Sequence, residues 1–154
     1  MATALLDPSQ IAYPVRSGVR RARNTTVLMA EVSTVDLERR MVHSSAGDIG
    51  YDALVLATGS TNNYFGIEHL QERAAGLKTL PEALQLRTTV LRALELAMET
   101  DDAEERRRLL GFTVVGGGPT GVECAGALAE LIRHVLPRDY PRLDPADASV
   151  VLVE

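Results

Sequence analysis

A single cysteine, Cys124, stands in 154 residues, which excludes a disulfide framework, a Cys-x-x-Cys redox pair and a cysteine-rich zinc site. This usage predicts a cytoplasmic protein, and Cys124, set among small residues early in an expected helix, reads as core packing. The three histidines, His43, His69 and His134, are scattered without an i, i+4 partner or an acid cluster, so no metal site is expected. Long apolar runs are missing as well. Nothing approaches the ~20 residues of a membrane span, and the N-terminus lacks the charged and apolar regions of a signal peptide. The chain is therefore expected to be soluble. Positive charge is short: 16 Lys and Arg face 21 Asp and Glu, a net charge of −5, which leaves no basic field to hold nucleic acid. The one local cluster, Arg16, Arg20, Arg21 and Arg23, reads as a solvated helix face.

What remains is a chain 45% apolar and 24% charged, suited to one globular unit or two partial ones. There is no internal repeat. The most informative stretch is Phe112-Thr113-Val114-Val115-Gly116-Gly117-Gly118-Pro119-Thr120-Gly121-Val122-Glu123, where a short β-branched strand runs through G-x-G-x-x-G into a helix. That arrangement is the phosphate-cradling turn of a dinucleotide-binding fold. Gly116 allows a tight turn off the strand, Gly118 keeps side chains from between backbone and pyrophosphate, and Gly121 lets the helix pack close. Pro119 and Thr120 complete the turn, and the unpaired N–H groups of the helix start face the ligand. Ser149 to Val153 reads as the next parallel strand, and Glu154 at its end would hold the adenosine ribose hydroxyls. Glu154 lies farther past the glycines than the usual spacing of about 20 residues. The surplus is assigned to a loop, because Pro137, Pro141 and Pro145 would not continue a helix. A carboxylate at Glu154 repels a 2′-phosphate and so favours NADH over NADPH; the competing reading is a merely solvated acid at a strand end.

Upstream, Pro14 to Arg23 has the pattern of a short helix. Three strands are expected at Thr26 to Val35, Leu37 to His43 and Tyr51 to Ala57, with turns at Asp36 and at Ser44 to Asp48, in an antiparallel meander. Thr79-Leu80-Pro81-Glu82 matches a capping box with proline in the first turn. It opens a long helix whose apolar face is read as Leu80, Leu84, Leu91, Leu94 and Met98. Asp101 to Arg108 places acids before bases, which suits a second, short helix.

Two segments together, Tyr51-Asp52-Ala53-Leu54-Val55-Leu56-Ala57-Thr58-Gly59-Ser60 and Val114 to Leu131 with its Gly-Pro-Thr-Gly-Val-Glu and Ala-Gly-Ala-Leu-Ala-Glu runs, carry a family resemblance. Asn63-Tyr64-Phe65-Gly66 and Gly76-Leu77-Lys78-Thr79-Leu80 add to it. The chain is similar to a type II NADH dehydrogenase, a member of the two-dinucleotide-binding-domain flavoprotein superfamily. The resemblance implies an α/β fold with three parts: residues 1–60 from the end of an FAD-binding domain, 61–110 as connecting loop and helices, and 111–154 as the opening βαβ of an NAD(H)-binding Rossmann domain. It implies an internal piece of a longer enzyme, since no second G-x-G-x-x-G precedes Tyr51 and the chain stops at Glu154.

By the same resemblance, Gly116, Gly118, Pro119, Thr120 and Gly121 hold the NADH pyrophosphate and Glu154 the ribose. Glu123 lies near nicotinamide and flavin, or simply complements the helix dipole. Thr58 and Gly59 border the FAD, or form an ordinary loop after a strand. The intact enzyme would pass hydride from NADH to flavin and then electrons to a quinone, against the cytoplasmic face of the membrane, with no catalytic side chain required. A ferredoxin- or rubredoxin-type reductase is the alternative. Disulfide reductases do not fit a lone cysteine. The isolated chain is expected to bind neither FAD nor NADH, to be inactive and to form homo-oligomers through uncovered apolar faces.

Overall fold

The computed structural model describes residues 12–154, which fall into two compact units, Ala12–Ser60 and Thr61–Glu154. Positions 1–11 of the expected flavin portion lie outside the described residues. The fold is α/β, with a three-stranded antiparallel sheet in the first unit and a parallel pair of strands in the second.

The first unit opens with α1 (Val15–Val19), half the length its sequence pattern predicts. It buries no residue, and a helix with no packed face has little beyond weak local propensity to extend it. The meander follows as β1 (Val32–Asp36), β2 (Met41–Ser44) and β3 (Gly47–Gly50). Each strand sits at a different place from its expected one. Leu37 to Arg40 make the first turn instead of opening β2, with Arg40 at φ 51°. The second turn holds only Ser45 and Ala46, so Gly47–Gly50 pairs with Met41–Ser44 and occupies the edge expected for Tyr51 to Ala57. Gly47 at φ 107° permits that tight reversal. The stretch Leu54 to Leu56 looks strand-like in composition, yet it pairs with no strand among the described residues, and Val55 is 86% exposed.

The second unit begins with a connector containing α2 (Leu70–Arg73) and then α3 (Leu80–Glu99). The capping box is present: Thr79 Oγ1 accepts from Glu82 N and the Glu82 carboxylate accepts from Thr79 N. Ala83, Val90, Leu94 and Ala97 are the buried residues of α3, so the packed stripe is rotated from the one the leucines suggest. Leu80 is exposed and Leu84 and Leu91 are only half-buried. Arg87 lies in line with the buried stripe, and its Nε is buried without a partner among the described residues. After α3, Asp102 caps α4 (Ala103–Leu109) by accepting from Glu104 N and Glu105 N. Arg106 of α4 reaches back to the last turn of α3, donating to the carbonyls of Thr100 (2.7 Å) and Ala97 (3.4 Å). A cation there satisfies carbonyls that have no helical partner.

The chain then forms β4 (Gly111–Val115), α5 (Pro119–Glu130), a π-helical turn at Leu131–Val135, α6 (Leu136–Asp139), a 3₁₀ turn at Pro145–Asp147 and β5 (Ser149–Val153). Pro137 therefore does not break the helix. Its ring would collide with the carbonyl four residues back in a regular helix. The π turn, closed by Leu136 N donating to Leu131 O, widens the coil just ahead of the ring. One core binds the unit: Val90, Leu94, Ala97, Leu110, Leu128, Leu131, Leu136 and Leu143 are buried together, with Phe112, Val114, Cys124 and Val150 packed against them. Each fully buried leucine contributes about 2 kcal/mol of gross hydrophobic stabilisation. No helix among the described residues is long and apolar enough to cross a membrane.

Candidate nucleotide-binding turn

The core holds β4 and α5 in contact, and the glycine turn lies where they meet. β4 and β5 run parallel with Val115 opposite Val153, and Gly116 N donates to Val153 O (2.7 Å) as one rung beyond. Gly116 then turns the chain off the sheet at φ 112°, a conformation that favours glycine. Gly118 is extended and stands as the N-cap of α5, with Pro119 in the first turn. No side chain among the described residues caps this helix. The leading N–H groups, which have no intrahelical acceptor, are left available to an external one.

The three glycines meet different surroundings. A Cβ at Gly121 would collide with the Gly116 carbonyl, so the start of α5 can approach the turn only because that side chain is missing. Among the described residues, a Cβ at Gly118 would meet nothing within 4 Å. Packing does not demand glycine at that position, whereas a ligand lying against the backbone would. A Cβ at Gly117 would stand 2.6 Å from Glu154 Oε2, which places the exposed carboxylate after β5 directly against the turn. Gly116, Gly118, Pro119, Thr120, Gly121 and Glu154 are thus brought together in the second unit, at the carboxyl edge of its strands. Glu123 follows on α5 and is exposed. Thr58 and Gly59 belong to the first unit, in an exposed, unpaired segment where Gly59 takes φ 76°.

The other candidates have quieter surroundings. Cys124 packs beside the core, and burial pushes its thiol pKa up, away from the reactive thiolate. Each histidine has one carboxylate partner: His43 with Asp48 (2.8 Å), His69 with Glu72 (3.2 Å) and His134 with Glu130 (3.1 Å). The last is an i, i+4 pair of one histidine with one acid. No group of three or more His, Cys, Asp or Glu that could hold a metal occurs among the described residues. What the sequence reading missed is Asn62, whose side chain reaches the first turn of α3 at Glu82; an asparagine 20 positions away carries no local signal of that contact.

The chain is 40% identical over 158 residues to a type II NADH:quinone oxidoreductase of Mycobacterium tuberculosis, an alignment covering 100% of this chain and 34% of that protein. An external alternative NADH-ubiquinone oxidoreductase of Yarrowia lipolytica mitochondria is 34% identical over 164 residues, covering 99% of this chain and 28% of that protein. The chain thus spans about a third of the length of these curated relatives. Among solved structures, NDH2 from Plasmodium falciparum in complex with NADH superposes with a TM-score of 0.69 at 28% identity, over 82% of this chain and 27% of that one. The family described as pyridine nucleotide-disulphide oxidoreductase matches residues 2–150, and with the strand, glycine turn and helix in place the chain belongs to that family.

Proposed function

We propose that the turn Gly116–Gly121 holds the pyrophosphate of NADH and Glu154 its adenosine ribose, in an enzyme that passes hydride from NADH to FAD and then electrons to a quinone. The observation that carries this reading is the open space at Gly118 beside an uncapped helix start. A bound diphosphate would receive the N–H groups that no side chain among the described residues caps, and backbone donors of this kind orient the dinucleotide at no side-chain entropy cost. Bound flavin would supply the two-electron acceptor, with Thr58 and Gly59 along its border. Glu123, one turn into α5, would face the nicotinamide end. The quinone is favoured over ferredoxin or rubredoxin as acceptor because the similar proteins are named quinone oxidoreductases. A lipid-soluble acceptor would place the enzyme against the cytoplasmic face of a membrane.

The test uses the protein at its native length. Purified protein should carry flavin absorbance and oxidise NADH with a soluble quinone, preferring NADH to NADPH by at least about tenfold, since a like charge against Glu154 is costly. Glu154→Gln should shrink that preference. Colourless protein without NADH oxidation would refute the enzymatic reading, and an unchanged preference in Glu154→Gln would refute the ribose assignment.

A further inference from the structure

The motif G-x-G-x-x-G fixes no residue at its second position, yet this chain has Gly117 there. Gly117 is not one of the glycines with positive φ, so its backbone conformation is open to any residue. The surroundings are what single it out. The three nearest atoms to an added Cβ all belong to Glu154: Oε2 at 2.6 Å, Cδ at 2.9 Å and Cβ at 3.4 Å. Among the described residues no backbone atom comes as close. Gly121 is bare to admit the Gly116 carbonyl; Gly117 is bare to admit one side chain.

The sheet register brings that side chain here. Val115 lies opposite Val153, and Gly116 N donates to Val153 O (2.7 Å). Glu154 therefore leaves β5 just where Gly117 leaves β4, on strands ~4.8 Å apart. We propose that Gly117 is a positioning residue for coenzyme choice: having no side chain, it lets the Glu154 carboxylate lie against the turn, where it selects an adenosine ribose with free hydroxyls over one with a 2′-phosphate. This rests on the proposed NADH reading of the turn. A carboxylate accepts from two neighbouring hydroxyls at once, and such charge-assisted bonds weaken steeply when the geometry slips. A 2′-phosphate in the same place meets like charge. A methyl group at position 117 cannot coexist with the carboxylate as it stands. The exposed Glu154 side chain is the partner that yields, so Gly117→Ala moves the charge without removing it.

The test titrates native-length protein calorimetrically with ADP-ribose and with ADP-ribose carrying a 2′-phosphate on its adenosine, two probes that hold no nicotinamide and undergo no hydride transfer. The parent should prefer the first by at least about tenfold. Gly117→Ala should weaken ADP-ribose about tenfold, leave the phosphorylated probe within about threefold, and melt within a few degrees of the parent. Glu154→Ala should lose the preference as well, and adding Gly117→Ala to it should change neither affinity, because the side chain to be displaced is gone. The proposal is wrong if Gly117→Ala keeps the parent's preference. Equal weakening of both probes, or a further loss on top of Glu154→Ala, would equally overturn it, since the methyl group would then be obstructing the phosphates. A Gly117→Ala protein that melts far below the parent, and is not restored by Glu154→Ala, assigns the glycine to packing and ends the proposal too. A parent that binds ADP-ribose but never oxidises NADH refutes the oxidoreductase reading alone, and the affinity ratios still decide this one. A parent that binds neither probe overturns both.

Discussion

A methyl group added at Gly118 would meet no atom of the described residues within 4 Å, whereas one added at Gly121 would collide with the Gly116 carbonyl. The two substitutions should therefore separate binding from folding. Gly118→Ala is expected to melt within a few degrees of the parent and to lose NADH affinity at least about tenfold, read by calorimetry at native length. Gly121→Ala gains about 1 kcal/mol of helix propensity but is overpacked against backbone that cannot yield, and should destabilise by about 1–3 kcal/mol net in denaturant titrations. Glu82 provides a pH test at the same scale. The Lys78 N–H, then the Thr79 N–H and hydroxyl, hold its carboxyl below the ordinary glutamate range. A depressed folded value means that the stabilisation is complete above the unfolded value and lost as pH falls through the folded one. Thermal melts should show a gap between the parent and Glu82→Gln that is steady at neutral pH and closes under acid. A gap that persists at the most acidic pH of folding would count against the carboxylate as its source.

Among the elements, α3 shows how packing chooses a face that composition only suggests. Its large leucines at 80, 84 and 91 point to one stripe, but the buried positions are Ala83, Val90, Leu94 and Ala97. Leu94 is fully buried, and Leu94→Ala should cost about 2–5 kcal/mol. Leu91→Ala, at a half-buried position, should cost less than half as much in the same urea titration. The meander carries the same lesson in strand form. Turn length sets register, and a two-residue turn at Ser45 and Ala46 commits Gly47–Gly50 to the edge before Leu54 to Leu56 can reach it. Around Pro137 the sequence shows a missing N–H and predicts a loop, while the fold answers with a π turn that keeps the chain helical through Asp139.

Over the whole molecule, each unit leaves apolar surface uncovered. In the second unit one face of the parallel pair carries Val115 (54% exposed), Val151 (50%) and Val153 (46%); in the first, Met29, Val55 and Leu56 stand out. Parallel strands are ordinarily covered on both faces, so the 154-residue chain by itself should self-associate. Sedimentation velocity is expected to show a species distribution that shifts with concentration, and Val151→Lys with Val153→Lys should move it toward monomer. A monodisperse parent at high concentration would refute this.

The strand, glycine turn and helix of residues 111–130, the capping box at Thr79 and the parallel strand ending at Glu154 were all legible in the amino-acid order, because each rests on contacts and backbone preferences local to a few residues. The rotation of α3, the placement of β3, the π turn and the reach of Asn62 to Glu82 were decided only in three dimensions. They depend on which surfaces and hydrogen-bonding edges compete for the same partner, and that competition joins residues far apart in the chain.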